Sequence, residues 1–234
     1  MQGLGFAWAL QPWIERLYAE PERRREALER HAEYFNTQPH AASLIVGLVC
    51  KLEERAAAAP EGERLAAYAR LRAVKNAMGA ALAGLGDAFF WTALRPAAAA
   101  CGLFVGMISL RAGYEHAGLW AALVYVAAYN VPALWLRWRG LALGYEWGEE
   151  LPARLKTFDP QRWVRRIRVL GTTVAVALFA LAAAQMGGGQ RMLGALILAG
   201  FWIIYRIAPH RVNAMRIYGG SCALGWLAAV VGWL

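Results

Sequence analysis

The chain has 234 residues, of which 59% are hydrophobic and 18% are charged, and its formal net charge at pH 7 is +9. Apolar residues gathered in long runs exclude a protein built around one large soluble core, and the lack of short period-two segments excludes a membrane β-barrel. The basic excess does not indicate nucleic-acid binding, because Lys and Arg flank the apolar runs instead of forming one patch.

The N-terminal part predicts helices at a membrane surface. Residues 3–20 mix aromatic residues with a charged end, which is typical of an amphipathic helix in the membrane interface. Glu22–Phe35 carries charges of both signs, which predicts a solvated cytoplasmic helix with His31 on its surface. Residues 1–75 hold eleven Lys or Arg against ten Asp or Glu. We predict that residues 1–75 form one region of cytoplasmic and interfacial helices.

A polar break interrupts this region. Asn36, Thr37 and Gln38 precede Pro39, which cannot continue a helical ladder and biases Gln38 toward extended geometry. The apolar run that follows, Ala41–Cys50, is too short to cross a bilayer. It is therefore predicted to be a re-entrant or interfacial segment.

Residues 76–234 predict a transmembrane region. They hold fourteen Lys or Arg against six Asp or Glu, and the basic residues cluster at the ends of runs, which marks the cytoplasmic side. The prediction is an all-α polytopic membrane protein with re-entrant segments and four to five apolar passages. Its N-terminus is cytoplasmic and its C-terminus lies outside. The apolar runs are Ala77–Leu110, Ala117–Leu136, Val169–Met186, Met192–Tyr205 and Ile217–Leu234.

Two charges, Asp87 and Arg95, lie inside the first apolar run. A charge at the centre of a membrane helix costs roughly 2.5–3.5 kcal/mol on insertion scales, which favours a functional role. On one helix, eight positions would separate them by about 12 Å, so each needs its own partner. Asp87 is either the N-cap of a helix over residues 88–94 or a polar group of a binding path. Arg95 either bonds carbonyls at a helix end or joins the same path.

Glycines and a proline around these charges predict a broken helix. Gly79, Gly84 and Gly86 lower helix propensity and allow close backbone approach, and Pro96 follows Arg95. Transporters place such breaks at their substrate sites. We therefore predict a hinge formed by Pro39, Gly79, Gly84, Gly86 and Pro96.

The sequence lacks the common catalytic motifs. No GxSxG, HExxH, CxxC or Walker loop is present, and the four histidines lack metal-ligand spacing. We predict no cofactor, no metal site and no catalytic residue. The three cysteines lie among apolar residues and indicate no disulfide. No cleavable signal peptide is expected.

Three segments together resemble the IID membrane component of the mannose/fructose/sorbose family of the bacterial phosphoenolpyruvate-dependent phosphotransferase system. They are LGFAWALQPWIERLY, RHAEYFNTQP and AVKNAMGAALAGLGDAFFWTALRP, within residues 3–100. The chain departs from the family pattern at Ala80-Ala81, where Gly-Pro is usual.

The resemblance implies a non-catalytic subunit in the bacterial inner membrane. It implies that a IIC subunit forms the sugar path with this chain as a hetero-oligomer. A mannose-type hexose is then phosphorylated by IIB, which receives its phosphoryl group through IIA. The alternative is a degenerate homologue that anchors or regulates phosphotransferase proteins without moving sugar. Membrane lipid is a partner in either case. The residues that the resemblance assigns to the substrate path are Asn36, Thr37, Gln38, Asn76, Asp87, Trp91 and Arg95.

Overall fold

The computed structural model describes residues 2–183. The chain divides into two compact units, Met1–Leu178 and Phe179–Leu234. The predicted passages Met192–Tyr205 and Ile217–Leu234 lie outside the described residues. The end of Val169–Met186 lies outside them as well.

The described residues form eight α-helices and no strand. Their bounds are α1 Gly3–Leu17, α2 Pro21–Ala32, α3 Ala42–Ala58, α4 Glu61–Phe89, α5 Arg95–Arg111, α6 Ala117–Trp147, α7 Leu151–Phe158 and α8 Pro160–Ala183. A π-helical turn, Phe90–Leu94, joins α4 to α5, and a 3₁₀ turn, Gly148–Glu150, joins α6 to α7.

The first two helices form where the sequence predicts them. α2 begins at Pro21, whose missing N–H is harmless in the first turn of a helix. α1 buries an i, i+4 stripe that includes Phe6, Leu10 and Ile14. α3 is longer than the apolar run Ala41–Cys50, because the helix continues through the charged segment after Cys50.

The predicted helix break at the glycines is wrong. α4 passes without interruption through Gly79, Gly84 and Gly86. The irregularity lies at residues 90–94 instead, directly before Pro96, whose ring would clash with the carbonyl of Thr92 in a regular α-helix. Asp87 therefore lies inside α4 and is not an N-cap. Arg95 is the first residue of α5, directly after the π-helical turn.

Among residues 2–183, two helical stretches are long and apolar enough to cross a membrane: Glu61–Arg111, with 51 residues, and Ala117–Phe158, with 42 residues. A turn at residues 112–116 separates them. α6 continues past Leu136 to Trp147, and α7 and the start of α8 follow, so the segment between the runs Ala117–Leu136 and Val169–Met186 is largely helical. The division at residues 75/76 between an interfacial and a transmembrane region stays a prediction, since α4 runs across it.

Glycines allow α3 and α6 to cross in backbone contact. A Cβ at Gly144 would overlap the carbonyl oxygen of Leu44, and a Cβ at Gly47 would overlap that of Leu141. The Ser43 hydroxyl donates to the Leu136 carbonyl at 3.2 Å in the same crossing. This close approach fixes the start of α3, and with it the loop that precedes it.

Candidate functional site

The polar loop between α2 and α3 is clamped by the start of α1. The side-chain amide of Gln2 donates to the Thr37 carbonyl at 2.9 Å, and its oxygen accepts from the Thr37 N–H at 3.1 Å. The Gln2 N–H also donates to the Phe35 carbonyl at 3.0 Å. The segment that the sequence marks as a break is therefore held in one conformation.

This loop lies directly on the glycine face of α4. A Cβ at Gly86 would come within 2.6 Å of Gln38 Cβ, and a Cβ at Gly79 within 3.0 Å of the Phe35 ring. The two segments that the sequence singles out, FNTQP and the glycine-rich part of α4, thus pack against each other. Gly79 and Gly86 serve close packing here, while Gly84 faces open space, and the hinge role of these glycines stays a prediction.

An open groove of about 600 Å³ lies between this loop and α4. Asn36 contributes from the loop and Asn76 from α4, and both are exposed. Tyr34 offers an exposed aromatic ring on the same side. The structure therefore brings together the two asparagines that the resemblance assigns to the path. The groove is lined by Glu33, Tyr34, Phe35, Asn36, Asn76, Gly79, Ala80 and Ala83.

Asp87 lies on the face of α4 that lines the groove, three turns beyond Asn76. Eleven residues return a helix to nearly the same angle and advance it by about 16 Å. Asp87 is exposed and does not itself line the groove. Trp91 and Arg95 follow, with the Arg95 guanidinium carbon 5.2 Å from the Trp91 ring centroid. Within residues 2–183, no ion pair joins Asp87 to Arg95, as their helical spacing predicts.

Two buried polar side chains of the same loop have unpaired atoms. Thr37 and Gln38 are 3% and 1% exposed. The Gln38 oxygen accepts from the His40 N–H at 2.6 Å. The Gln38 amide nitrogen and the Thr37 hydroxyl, however, have no hydrogen-bond partner in the described part of the chain. An unpaired buried polar group costs about 1–3 kcal/mol, so these atoms favour an additional polar contact. Pro39 lies exposed beside them.

A buried charged network ties the same helices together, and the sequence analysis missed it. His31 is fully buried, so its prediction as a surface residue is wrong. Its Nε2 lies 2.7 Å from Oε1 of Glu53, which is also fully buried. The Tyr18 hydroxyl donates to Glu53 Oε2 at 2.7 Å, and Arg30 donates to Glu53 Oε1 at 3.2 Å. Lys75, which directly precedes Asn76 in the chain, donates from Nζ to the Arg30 carbonyl oxygen at 3.4 Å.

The pKa values in this network follow from burial and from hydrogen bonding. Burial lowers the pKa of His31, and the hydrogen bond to Glu53 opposes that shift only in part. Burial by itself would raise the pKa of Glu53, but the hydrogen bond from His31 and the charge of Arg30 bring it below the usual value. Burial and the Glu53 carboxylate raise the pKa of Tyr18. Glu53 is therefore ionised beside a neutral His31, which donates from Nε2.

Helical periodicity contained a signal for this network. His31 lies four residues after Ala27, the other buried residue of α2. Glu53 lies four residues after Val49 on the buried face of α3. Charges at core positions of an otherwise apolar stripe are paired when buried. Among residues 2–183, no cluster of His, Cys, Asp or Glu could hold a metal ion.

Relatives of known family match most of this chain. The profile of the phosphotransferase system mannose/fructose/sorbose family IID component matches residues 1–185. The mannose-specific EIID component of Escherichia coli (strain K12) is 34% identical over 179 residues, which cover 76% of this chain and 59% of that protein. The fructose permease IID component of Bacillus subtilis (strain 168) is 31% identical over 180 residues, covering 76% and 60%. The chain spans about three-fifths of the length of these curated relatives.

Solved structures share its fold. One, described as the structure of a membrane protein, has a TM-score of 0.66 at 28% identity. Another, the cryoEM structure of the mannose transporter ManYZ in complex with microcin E492 (MceA), has a TM-score of 0.52 at 28% identity. Each alignment covers 99% of this chain and 89% of the other. Together with the two candidate spans, they confirm a helical membrane protein. The chain belongs to the IID components of the mannose/fructose/sorbose family of the phosphotransferase system.

Proposed function

We propose that this chain is the IID subunit of a sugar permease in the bacterial inner membrane, with a cytoplasmic N-terminus. With a IIC subunit it forms the channel that carries a mannose-type hexose to IIB for phosphorylation. The observation that carries the proposal is the groove between the polar loop and α4. It is open and brings together Asn36 from the loop, Asn76 from α4 and the exposed ring of Tyr34, and an open groove with these groups suits one half of a binding path.

The chemistry of the groove suits a sugar. Each hydroxyl that leaves water needs a donor or an acceptor, and amide side chains supply both. The same loop holds the unpaired buried atoms of Thr37 and Gln38, which favour further polar contacts. Asp87 lies further along the same face of α4, and Trp91 and Arg95 follow in the π-helical turn and at the start of α5. The similarity to the mannose transporter ManYZ supports a partner that covers the open side.

Two of the four histidines, His31 and His40, have their imidazoles engaged within the fold. His31 is fully buried. His40 contacts Tyr129 through Nε2 at 3.3 Å and accepts from Arg137 at Nδ1 at 3.0 Å. Neither imidazole is free to accept a phosphoryl group. We propose that IIA and IIB carry that chemistry and that this chain shapes the path.

Transport measurements with Asp87→Asn test the proposal. The chain is coexpressed with IIC, IIA and IIB in cells that lack their own mannose permease. Uptake and phosphorylation of radiolabelled mannose are then measured. We expect Asp87→Asn to copurify with IIC but to lower uptake roughly tenfold, the effect of losing about one charged hydrogen bond. Glu63→Gln, which removes an exposed carboxylate from the same helix, is the matched control and retains uptake.

Two results would contradict the transport role. If the unsubstituted chain forms no complex with IIC and supports no uptake, the proposal fails. If it assembles with IIC but moves no sugar, the anchoring or regulatory role replaces transport. Ala80 lines the groove, so replacing Ala80-Ala81 by the Gly-Pro that is usual in the family is the first change to make if the chain assembles but moves no sugar.

A further inference from the structure

A second cavity lies away from the groove, on the side of α4 that faces α6. Its volume is about 310 Å³, and it is lined by apolar side chains and glycine alone. α4 contributes Leu82, Leu85 and Phe89, and α6 contributes Pro132 and Trp135. An apolar cavity without polar partners does not hold ordered water, and it favours an apolar occupant.

The rim of this cavity carries exposed aromatic residues. Trp135, Phe158 and Trp163 all line it, and they are 58%, 59% and 42% exposed. Phe158 and Trp163 stack with their ring centroids 6.3 Å apart at the corner between α7 and α8. Tryptophans with one wet edge are typical of the headgroup level of a bilayer. The opening of the cavity therefore has the composition of a membrane interface.

Positive charge surrounds the same corner. Arg162, Arg165 and Arg166 lie in the first two turns of α8, and all are exposed. The Arg166 guanidinium lies 5.4 Å from the centroid of the Trp163 ring, which lines the cavity. Within residues 2–183, none of these three arginines forms an ion pair with a carboxylate. The acidic residue at the corner, Asp159, accepts from the Arg162 backbone N–H at 3.1 Å.

We propose that this cavity binds an anionic phospholipid, with an acyl chain between α4 and α6 and the phosphate on Arg162 and Arg166. An acyl chain is the apolar group that a bilayer supplies to such a cavity. Guanidinium groups bind phosphate through charge-assisted hydrogen bonds, and basic pockets between membrane helices select anionic headgroups. The site is independent of the sugar groove, because the two are lined by different faces of α4.

Native mass spectrometry of the purified full-length chain tests the site with defined lipids. Dioleoyl phosphatidylglycerol and dioleoyl phosphatidylcholine share their tails and differ in charge. We expect one tightly bound phosphatidylglycerol per chain, with about tenfold preference over phosphatidylcholine. Arg162→Gln with Arg166→Gln removes the preference. The control variant, Arg16→Gln with Arg23→Gln, makes the same change in net charge on α1 and α2 and should retain the preference for phosphatidylglycerol.

A cavity-filling variant separates the tail from the headgroup. Leu85→Trp occupies the cavity, so both lipids are expected to bind at least tenfold more weakly. Leu103→Trp, at an exposed position of α5, leaves binding unchanged. Equal binding of the two lipids to the unsubstituted chain overturns the proposal. Undiminished binding of phosphatidylglycerol to Leu85→Trp also overturns the proposal. Loss of the lipid from this site when IIC binds overturns it as well, because the cavity would then be a protein interface.

Discussion

At the scale of single residues, Glu53 is the residue on which the N-terminal helices depend. It accepts hydrogen bonds from Tyr18 on α1 and from Arg30 and His31 on α2, while it lies on α3. Tyr18 also lies 3.0 Å from the Tyr68 hydroxyl on α4. A buried carboxylate is tolerated only when it is paired in this way. The Glu53 side chain thus joins α1, α2 and α3, and Tyr18 extends the network to α4.

Replacing Glu53 by Gln is expected to destabilise the protein. The amide keeps the shape but leaves the largely buried Arg30 without its counter-charge, which typically costs about 3–5 kcal/mol. The measurement is the thermal unfolding of the purified chain in detergent. Glu26→Gln, on the exposed face of α2, is the control and should change stability by less than about 0.5 kcal/mol. Equal effects of the two changes would show that the network contributes nothing.

Stability is also expected to fall as the pH drops below 6.5. The folded pKa of His31 lies below its usual 6.5. At a pH between the folded pKa of His31 and 6.5, the unfolded chain therefore binds a proton at His31 that the folded chain does not bind. Stability is present above pH 6.5 and is lost as the pH falls toward the folded pKa. Protonated Nδ1 would also lack an acceptor among the described residues.

Melting curves at pH 7.5 and 5.5 check this dependence. His31→Gln should reduce the difference between the two midpoints, because it removes one titrating group. His116→Gln, in the exposed turn between α5 and α6, should leave the difference unchanged. His40, whose pKa is also lowered, accounts for a remaining part. An unchanged difference in His31→Gln would contradict the prediction.

At the scale of helices, glycine has two opposite uses in this chain. Gly47 and Gly144 let α3 and α6 touch, and Gly86 lets the polar loop sit on α4. Gly84 and Gly118 meet no neighbouring atom within 4 Å of a built Cβ. Glycines that look alike in the sequence therefore differ in what they contribute. We expect the glycines at such close contacts to resist substitution.

Gly144→Ala and Gly118→Ala, both on α6, are expected to have effects of opposite sign. The methyl group at position 144 overlaps the Leu44 carbonyl, so the helices must separate and the unfolding midpoint should fall. At position 118 the methyl group meets nothing, and alanine is better than glycine in a helix by up to about 1 kcal/mol. Thermal unfolding in detergent measures both. A drop for both variants would show that the α3–α6 contact is not the cause.

At the scale of the whole molecule, the helices after α3 keep much of their apolar surface exposed. Leu103 and Leu110 on α5 and Leu123, Val131 and Trp138 on α6 are about half exposed or more. Exposed apolar area of this extent marks a lipid or protein contact. The surface agrees with the two candidate spans and leaves room for both bilayer and partner.

Cysteine labelling of intact cells checks how these spans are oriented. In a background without Cys50, Cys101 and Cys222, we expect Tyr114→Cys to react with a membrane-impermeant maleimide applied from outside. Leu65→Cys should react only after lysis. Both side chains are exposed, at 62% and 82%, so access differs only by the side of the membrane. The reverse pattern would invert the proposed topology.

The sequence by itself determined the helical membrane class, the polar break at Asn36–Pro39 and the family. These depend on composition, on proline chemistry and on ordered motifs, all of which are local. The tertiary structure alone decided that α4 does not break at its glycines and that Asn36 and Asn76 share a groove. It also decided that His31 and Glu53 form a buried pair. Periodicity tells which face of a helix is apolar, but not which neighbour covers it. A glycine or a charged residue takes its role from that neighbour.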